Sequence, residues 1–305
     1  MAALPSLKQL QYLLALAEHL NFTRAAEACF VTQSTLSAGL KELEDTLGTK
    51  LVERDRQTVL MTPAGREVVK RARTILTATQ DLVEAAAGSH GAMRGTLRLG
   101  VIPTIAPFLL PACLRLLRKR YPALHLALRE DLTANLLTRL EKGALDFALI
   151  ALPFDTGNLL IEPLFDDNLW LVGRKDDPAV KSRAVHATPA LSDRLLLLEE
   201  GHCLRDHALF ACGTADRKTS GAIEATSLLT LVQMIESGLG IGLVPEMAVH
   251  SGLTKSPLLL PRPITKPSPK RTIALAARAS TSRLDDLKAL ADVIRAAHDS
   301  LPPTP

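Results

Sequence analysis

The chain has 305 residues, 47% of them hydrophobic and 22% charged, with a formal net charge of +4 and four cysteines. That length allows two or three domains with buried cores, and the composition is that of a folded globular chain rather than a disordered one. No apolar run approaches the roughly 18 residues of a membrane span, no signal-peptide pattern opens the sequence, and no cysteine sits in zinc-ligand spacing, His202 being too cramped beside Cys203.

Leu7, Leu10, Leu13, Leu14 and Ala17 recur at helical spacing and predict a first helix. In FTRAAEACFVTQSTLSAGLKELEDTLG, Thr23 is expected to cap a short helix and Val31 and Thr32 to make a turn. A second helix then starts at Thr32 or Gln33, with Leu36, Leu40, Leu43 and Leu47 on its core face. Gly48 ends it as a left-handed cap. This is the helix-turn-helix pattern, and LVERDRQTVLMTPAG reads as a two-stranded wing. The second helix opens with Thr32, Gln33, Ser34, Thr35 and Ser37, polar side chains suited to base edges and phosphates. With Lys41, and with Arg54 and Arg56 in the wing, they are the expected DNA contacts, the helix specifying bases and the wing cations holding phosphates. Polar helix starts are common without DNA, so the weight rests on the whole motif. Charge supports it only locally. Residues 1–92 carry ten basic and ten acidic side chains, whereas residues 50–73 hold seven Lys or Arg against three acids.

From Gly65 to Ala87 one long helix is predicted. Val68, Ala72, Ile75, Thr79, Leu82 and Ala86 form a seam, and Val69, Leu76 and Val83 lie seven apart. Such a seam predicts a dimerising helix, with packing on its own domain as the alternative. GSHGAMRG (88–95) follows as a joint. From Thr96 onward strands and helices alternate in two sets, which predicts an α/β unit of two lobes, mostly parallel sheets and a cleft between them. The expected domains are residues 1–64 (winged helix-turn-helix), 65–92 (dimerising linker helix and hinge) and 93–305 (regulatory). Lobe I covers about 93–167 and 270–305, lobe II about 168–269.

Cys203 and Cys212 stand nine residues apart. If LRDHALFA between them is helical, the Cα atoms lie about 13 Å apart on opposite faces. A disulfide needs Cα atoms within about 7 Å, so the pair bridges only if the segment refolds. The thiols are either two unrelated core residues or a redox switch. A cytoplasmic setting, expected here, keeps thiols reduced and makes disulfides transient or sensory. A sensing thiol needs a lowered pKa and solvent access, and His202, Arg205 and Arg271 are the candidate partners for its thiolate or the leaving hydroxide. Cys29 and Cys113 are assigned to packing. Thr104 sits after the first strand of the α/β unit, where open sheets bind ligands. Thr133 reads equally well as a helix N-cap.

The continuous stretch from FTRAAEACFVTQSTLSAGLKELEDTLGTKLVER to LMTPAGR, the long helix and the two lobes together resemble the LysR-type bacterial transcriptional regulators along the whole chain. Val52 in LVER departs from the more usual Phe while keeping apolar packing. Four segments are similar to the hydrogen-peroxide-sensing members of that family: GVIPTIAPFLLP (100–111), EDLTANLLTRLEKGALD (130–146), EEGHCLRDHALFACG (199–213) and ATSLLTLVQMIESGLGIGLVP (225–245). The resemblance implies an all-α winged helix-turn-helix joined to two Rossmann-like α/β lobes of the periplasmic-binding-protein type. It implies oxidation of Cys203 by peroxide, resolution by Cys212, and Thr104 and Thr133 holding peroxide or water nearby. It further implies a homodimer or homotetramer that changes geometry on operator DNA and its contact with RNA polymerase. No enzyme activity, cofactor, metal or membrane partner is expected. The competing readings are a regulator answering a small carboxylate or aromatic effector between the lobes, a thiol peroxidase, and a periplasmic solute-binding protein.

Overall fold

The first helix starts where the sequence supplies its own cap. In the computed structural model, which describes residues 4–54, 59–86, 93–182, 185–186, 188, 191, 193–213, 224–265 and 268–301, the Ser6 hydroxyl accepts the Gln9 N–H and the Gln9 side-chain oxygen accepts the Ser6 N–H. Two otherwise orphaned donors are satisfied reciprocally. Helix α1 (Leu7–His19) is followed by α2 (Phe22–Ala28), α3 (Gln33–Leu47), a wing of β1 (Val52–Arg54) and β2 (Val59–Met61), and α4 (Pro63–Ala86). They form one unit, Met1–Ser89, around Leu10, Leu13, Leu16, Ala25, Leu36, Leu40 and Leu43. This is the expected winged helix-turn-helix.

Three local expectations shift. Asn21, not Thr23, caps α2: its extended backbone brings the side-chain oxygen to the Arg24 N–H at 3.0 Å, the third helical position that a cap reaches. Helix α4 begins at Pro63, two residues early, because proline needs no N–H partner there and the Thr62 hydroxyl accepts the Gly65 N–H at 2.8 Å. Leu47 is exposed at the end of α3 rather than in the core. The seam on α4 divides. Val68, Val69, Ala72 and Leu76 pack on their own unit, whereas Ile75, Leu82 and Val83 stay exposed.

The turn between α2 and α3 runs through Phe30 at φ 55°. Its N–H donates to the Glu27 carbonyl, and the Val31 N–H donates to the Ala26 carbonyl, both at 3.0 Å. This left-handed closure costs a residue bearing a Cβ about 1–2 kcal/mol.

The second unit is His90–Pro305. Its elements in order are β3 (Gly95–Val101), α5 (Ala106–Arg120), β4 (Leu124–Glu130), α6 (Thr133–Glu141), β5 (Phe147–Leu152), β6 (Leu160–Arg174), α7 (Pro178–Lys181), β7 (Leu197–Leu198), α8 (Cys203–Ala211), β8 (Glu224–Ala225), α9 (Leu228–Glu236), β9 (Gly242–Pro245), α10 (Glu246–His250), β10 (Leu259–Pro263), β11 (Lys270–Ala277) and α11 (Leu284–Asp299). The main sheet runs β10-β6-β11-β5-β3-β4, with β9 also on β6. Only β3 with β4 and β5, and β7 with β8, pair in parallel among these strands; β11 and β6 pair antiparallel with all their neighbours. The expectation of mostly parallel sheets therefore fails, because β6 and β11 run antiparallel to their neighbours. β6 threads both lobes, its residues 160–168 on β11 and its residues 169–174 on β9 and β10. One core gathers Leu97, Leu99, Phe147, Ile150, Ile273 and Ile294; the other gathers Leu171, Leu197, Leu231, Ile235 and Val244.

Candidate functional site

Three segments converge on one small pocket in the second unit: Ile102–Thr104 after β3, Leu132 and Thr133 at the start of α6, and Gly201–Cys203 at the start of α8. It offers about 10 Å³, room for roughly one water-sized molecule. Two helix N-termini aim their free N–H groups and positive dipole ends here, which favours an anion at the sulfur. Gly201 makes the approach possible. It sits at φ +96°, and a Cβ there would meet Leu132 Cδ1 at 3.0 Å.

Cys203 is 4% exposed and packs in the first core, whereas Cys212, 1% exposed, packs in the second. Both are free thiols. The segment between them, whose helicity the sequence left open, is helical with Cys212 at its C-cap, so the two Cα atoms lie about 13 Å apart.

The expected exposed, low-pKa thiol is not what folds here. Burial pushes the Cys203 thiol up; the Arg271 charge, the Thr133 hydroxyl and the Leu204 N–H pull it back only in part, and Asp206 adds to the rise. Cys203 is therefore a protonated thiol at neutral pH. Burial also raises Cys212. The cysteines assigned to packing are a half-buried Cys29 and a Cys113 buried in the first core, the latter pushed up to about 12 by desolvation.

Thr133 is 1% exposed and its hydroxyl has no partner of full hydrogen-bonding geometry among the described residues, although it lies close enough to the Cys203 sulfur to favour the thiolate. The N-cap reading fails, because Leu132 occupies the cap position of α6 and Thr133 the first helical one. Thr104 is held from behind. Arg271, fully buried, donates from Nη1 to the Thr104 hydroxyl at 2.8 Å and from Nη2 to its carbonyl at 3.0 Å. The same guanidinium pairs with Asp167 at 2.9 Å across β11 and β6, and Asp167 accepts the Met247 N–H at 3.1 Å. The Thr104 hydroxyl thus accepts from Arg271 and keeps its own proton to donate.

His202 lines the pocket but is no cation at neutral pH. Burial lowers its pKa, against smaller opposing effects of Glu199 and the Thr226 backbone. Arg205 is not in the pocket: its Nη1 donates to the Leu198 carbonyl at 2.8 Å and to Glu224 at 2.7 Å. Two residues along a helix is about 200° of rotation, which turns Arg205 away from Cys203. Four residues is one turn, and there the structure places His207, a residue the sequence reading missed although the i, i+4 spacing signals it. His207 is buried with its pKa lowered by desolvation, its Nε2 is 3.3 Å from the Pro153 carbonyl, and its Nδ1 has no partner among the described residues. Asp167, the anchor of Arg271, was also missed; nothing local in the sequence marks it.

In the first unit, Thr32 caps α3, its hydroxyl accepting the Thr35 N–H at 3.2 Å and sharing hydrogen bonds with the Ser34 and Thr35 hydroxyls. Thr32, Gln33, Ser34, Thr35 and Lys41 are exposed and Ser37 is half-buried. Arg54 ends β1; its side chain and Arg56 lie outside the described residues.

The family model for the bacterial regulatory helix-turn-helix protein, lysR family, matches residues 7–66, and that for the LysR substrate binding domain matches residues 90–299. The chain is 46% identical over 297 residues to the HTH-type transcriptional regulator EstR of Acinetobacter baylyi, covering 97% of this chain and 98% of that one. It is 41% identical over 307 residues to a probable hydrogen peroxide-inducible genes activator of Streptomyces viridosporus, covering 98% and 96%. Among solved structures, a full-length single-substitution variant of OxyR from Pseudomonas aeruginosa matches with a TM-score of 0.74 at 37% identity, covering 96% of this chain and 98% of that one.

Proposed function

The chain belongs to the LysR family of DNA-binding transcriptional regulators, and from that premise we propose that it is a hydrogen-peroxide sensor of the OxyR kind, switched by a reversible Cys203–Cys212 disulfide. The observation that carries this reading is the pocket at Cys203. It admits one very small molecule and lines it with a thiol and an unsatisfied, fully buried hydroxyl.

The chemistry follows from the residues. Peroxide in the pocket accepts from Thr104 and donates to, or accepts from, Thr133, which aligns one oxygen with the Cys203 sulfur. The sulfur attacks that oxygen and the O–O bond breaks. The departing hydroxide takes the thiol proton and leaves as water, so Cys203 becomes a sulfenic acid. A thiol that is protonated at rest needs this proton transfer, and the Arg271 charge behind Thr104 favours the thiolate as it forms. The Cys212 sulfur then attacks the sulfenic sulfur, the S–O bond breaks, and a second water leaves with the Cys212 proton. Two electrons have passed from the thiol pair to peroxide.

Because the two Cα atoms start about 13 Å apart, the bond forms only as α8 unwinds. That refolding is the signal. Thr32, Gln33, Ser34, Thr35, Ser37, Lys41, Arg54 and Arg56 contact the operator in this reading, and the exposed Ile75, Leu82 and Val83 of α4 serve a second copy in a dimer or tetramer that engages RNA polymerase. The domain limits at 1–64, 65–92 and 93–305 belong to the same proposal.

The test is mass mapping of thiols in the full-length protein after one equivalent of peroxide. A Cys203–Cys212 link with Cys29 and Cys113 still free is expected, together with a changed DNA footprint that the Cys203→Ser variant does not show. Unlinked thiols with a changed footprint sink the switch. A Cys203→Ser protein that still answers a small carboxylate points to the effector reading instead.

A further inference from the structure

Phe30 is an anomaly inside the helix-turn-helix. Its ring is 96% exposed, the most exposed large apolar side chain among those described, and its backbone sits at φ 55°. Glycine or asparagine would close the same turn with less strain. A phenylalanine here therefore costs stability through its backbone, and its exposed ring gains no packing in return. Strain of this kind collects where function demands it.

Position supplies the occupant. Phe30 lies two residues before the cap of α3, and the exposed Thr32–Thr35 turn begins there. In helix-turn-helix docking the first helix crosses the sugar–phosphate backbone while the start of the second reaches base edges. The turn that joins them passes over the wall of the groove. We propose that Phe30 is a DNA-contacting residue, laying its ring on the deoxyribose face at the edge of the major groove, continuous with the surface that the first turn of α3 presents. It would be an apolar, sequence-independent foothold beside the polar reading helix.

The test uses full-length protein and a duplex selected by the wild type from a randomised pool. Phe30→Asn and Phe30→Gly are expected to unfold at the same temperature as wild type or higher. Their affinity should fall about five- to tenfold per bound subunit, in line with the apolar area of a half-covered ring. Since no phosphate contact is lost, the slope of log K against log salt should stay unchanged. Phe30→Leu should keep most of the affinity, and the loss in Phe30→Asn should be the same on an unselected duplex. Unchanged affinity in Phe30→Asn overturns the proposal. So does a shallower salt slope, which would assign the loss to phosphate contacts. Loss of the effect on replacing thymines by uracil would move the contact to a base methyl, and dissociation of free Phe30→Asn into smaller oligomers would make the ring's partner a second chain.

Discussion

A buried hydroxyl with nothing to bond is a cost in the resting protein and an asset when a ligand arrives. The Thr133 hydroxyl comes close to that case: it has the Cys203 sulfur beside it but no partner of full hydrogen-bonding geometry among the described residues. Thr133→Val keeps the shape and removes the unsatisfied oxygen, so the reduced protein should be as stable as wild type or about 1 kcal/mol more so. The rate of Cys203 oxidation by peroxide should fall about 10²-fold, the usual effect of deleting one hydrogen-bonding group from a reacting centre. Stopped-flow thiol oxidation and urea unfolding read the two quantities; an unchanged rate removes Thr133 from the peroxide site. At this scale the grouping of Cys203, Thr104 and Thr133, which line one pocket, was legible because they sit in distinctive local strings. The protonation state of Cys203 was not, since burial and the charge of Arg271, 68 residues downstream, are tertiary properties. Arg205 misled because adjacency in sequence was read as adjacency in space, and a helix turns i+2 away.

The nine residues of α8 carry the proposed switch, and their helical stability sets how readily it opens. Phe210 is exposed on this helix and its side chain does not line the pocket, so its substitution reads mainly helix strength. Phe210→Ala strengthens the helix and Phe210→Gly weakens it, a spread of about 1 kcal/mol, or roughly fivefold in unwinding. The sulfenic acid should form at the same rate in both variants, while the disulfide closes about fivefold faster with glycine, as followed by quenched mass spectrometry. Equal closing rates would mean that unwinding is not the step that joins the thiols. The sequence left the helix itself as a condition on which the geometry of the pair depends, and the structure meets that condition. The path of β6 was not: a strand of 15 residues that serves two lobes reads as a strand and a loop until its partners β9, β10 and β11 are in place.

For the whole molecule, buried titratable groups bound the pH range of the reduced form from both sides. His202 and His207 have pKa values lowered from 6.5 by burial. Below that value the unfolded chain binds protons that the folded one refuses, so stability falls as the solution becomes more acid. Cys203 and Cys212 are raised from 9.0, and Cys113 from 9.0 to about 12. The unfolded chain ionises these thiols first, so stability falls again as pH rises above 9. Reduced protein should thus show a flat unfolding midpoint between about pH 6.5 and 9, with a fall on each side. His207→Gln should shallow the acid limb and Cys113→Ala the alkaline one; limbs unmoved by these variants would place the titration elsewhere. That a helix-turn-helix precedes an α/β part was legible because hydrophobic period is local. Which core each thiol joins was not, and that separation has a temporal meaning. In the proposed switch, closing the bond would drag at least one sulfur from its packing, and cutting it would let the sulfur fall back unaided. The resting fold would then supply its own restoring force, and the supply of dithiol reductant would time the response, with no need to synthesise fresh protein to forget the stimulus.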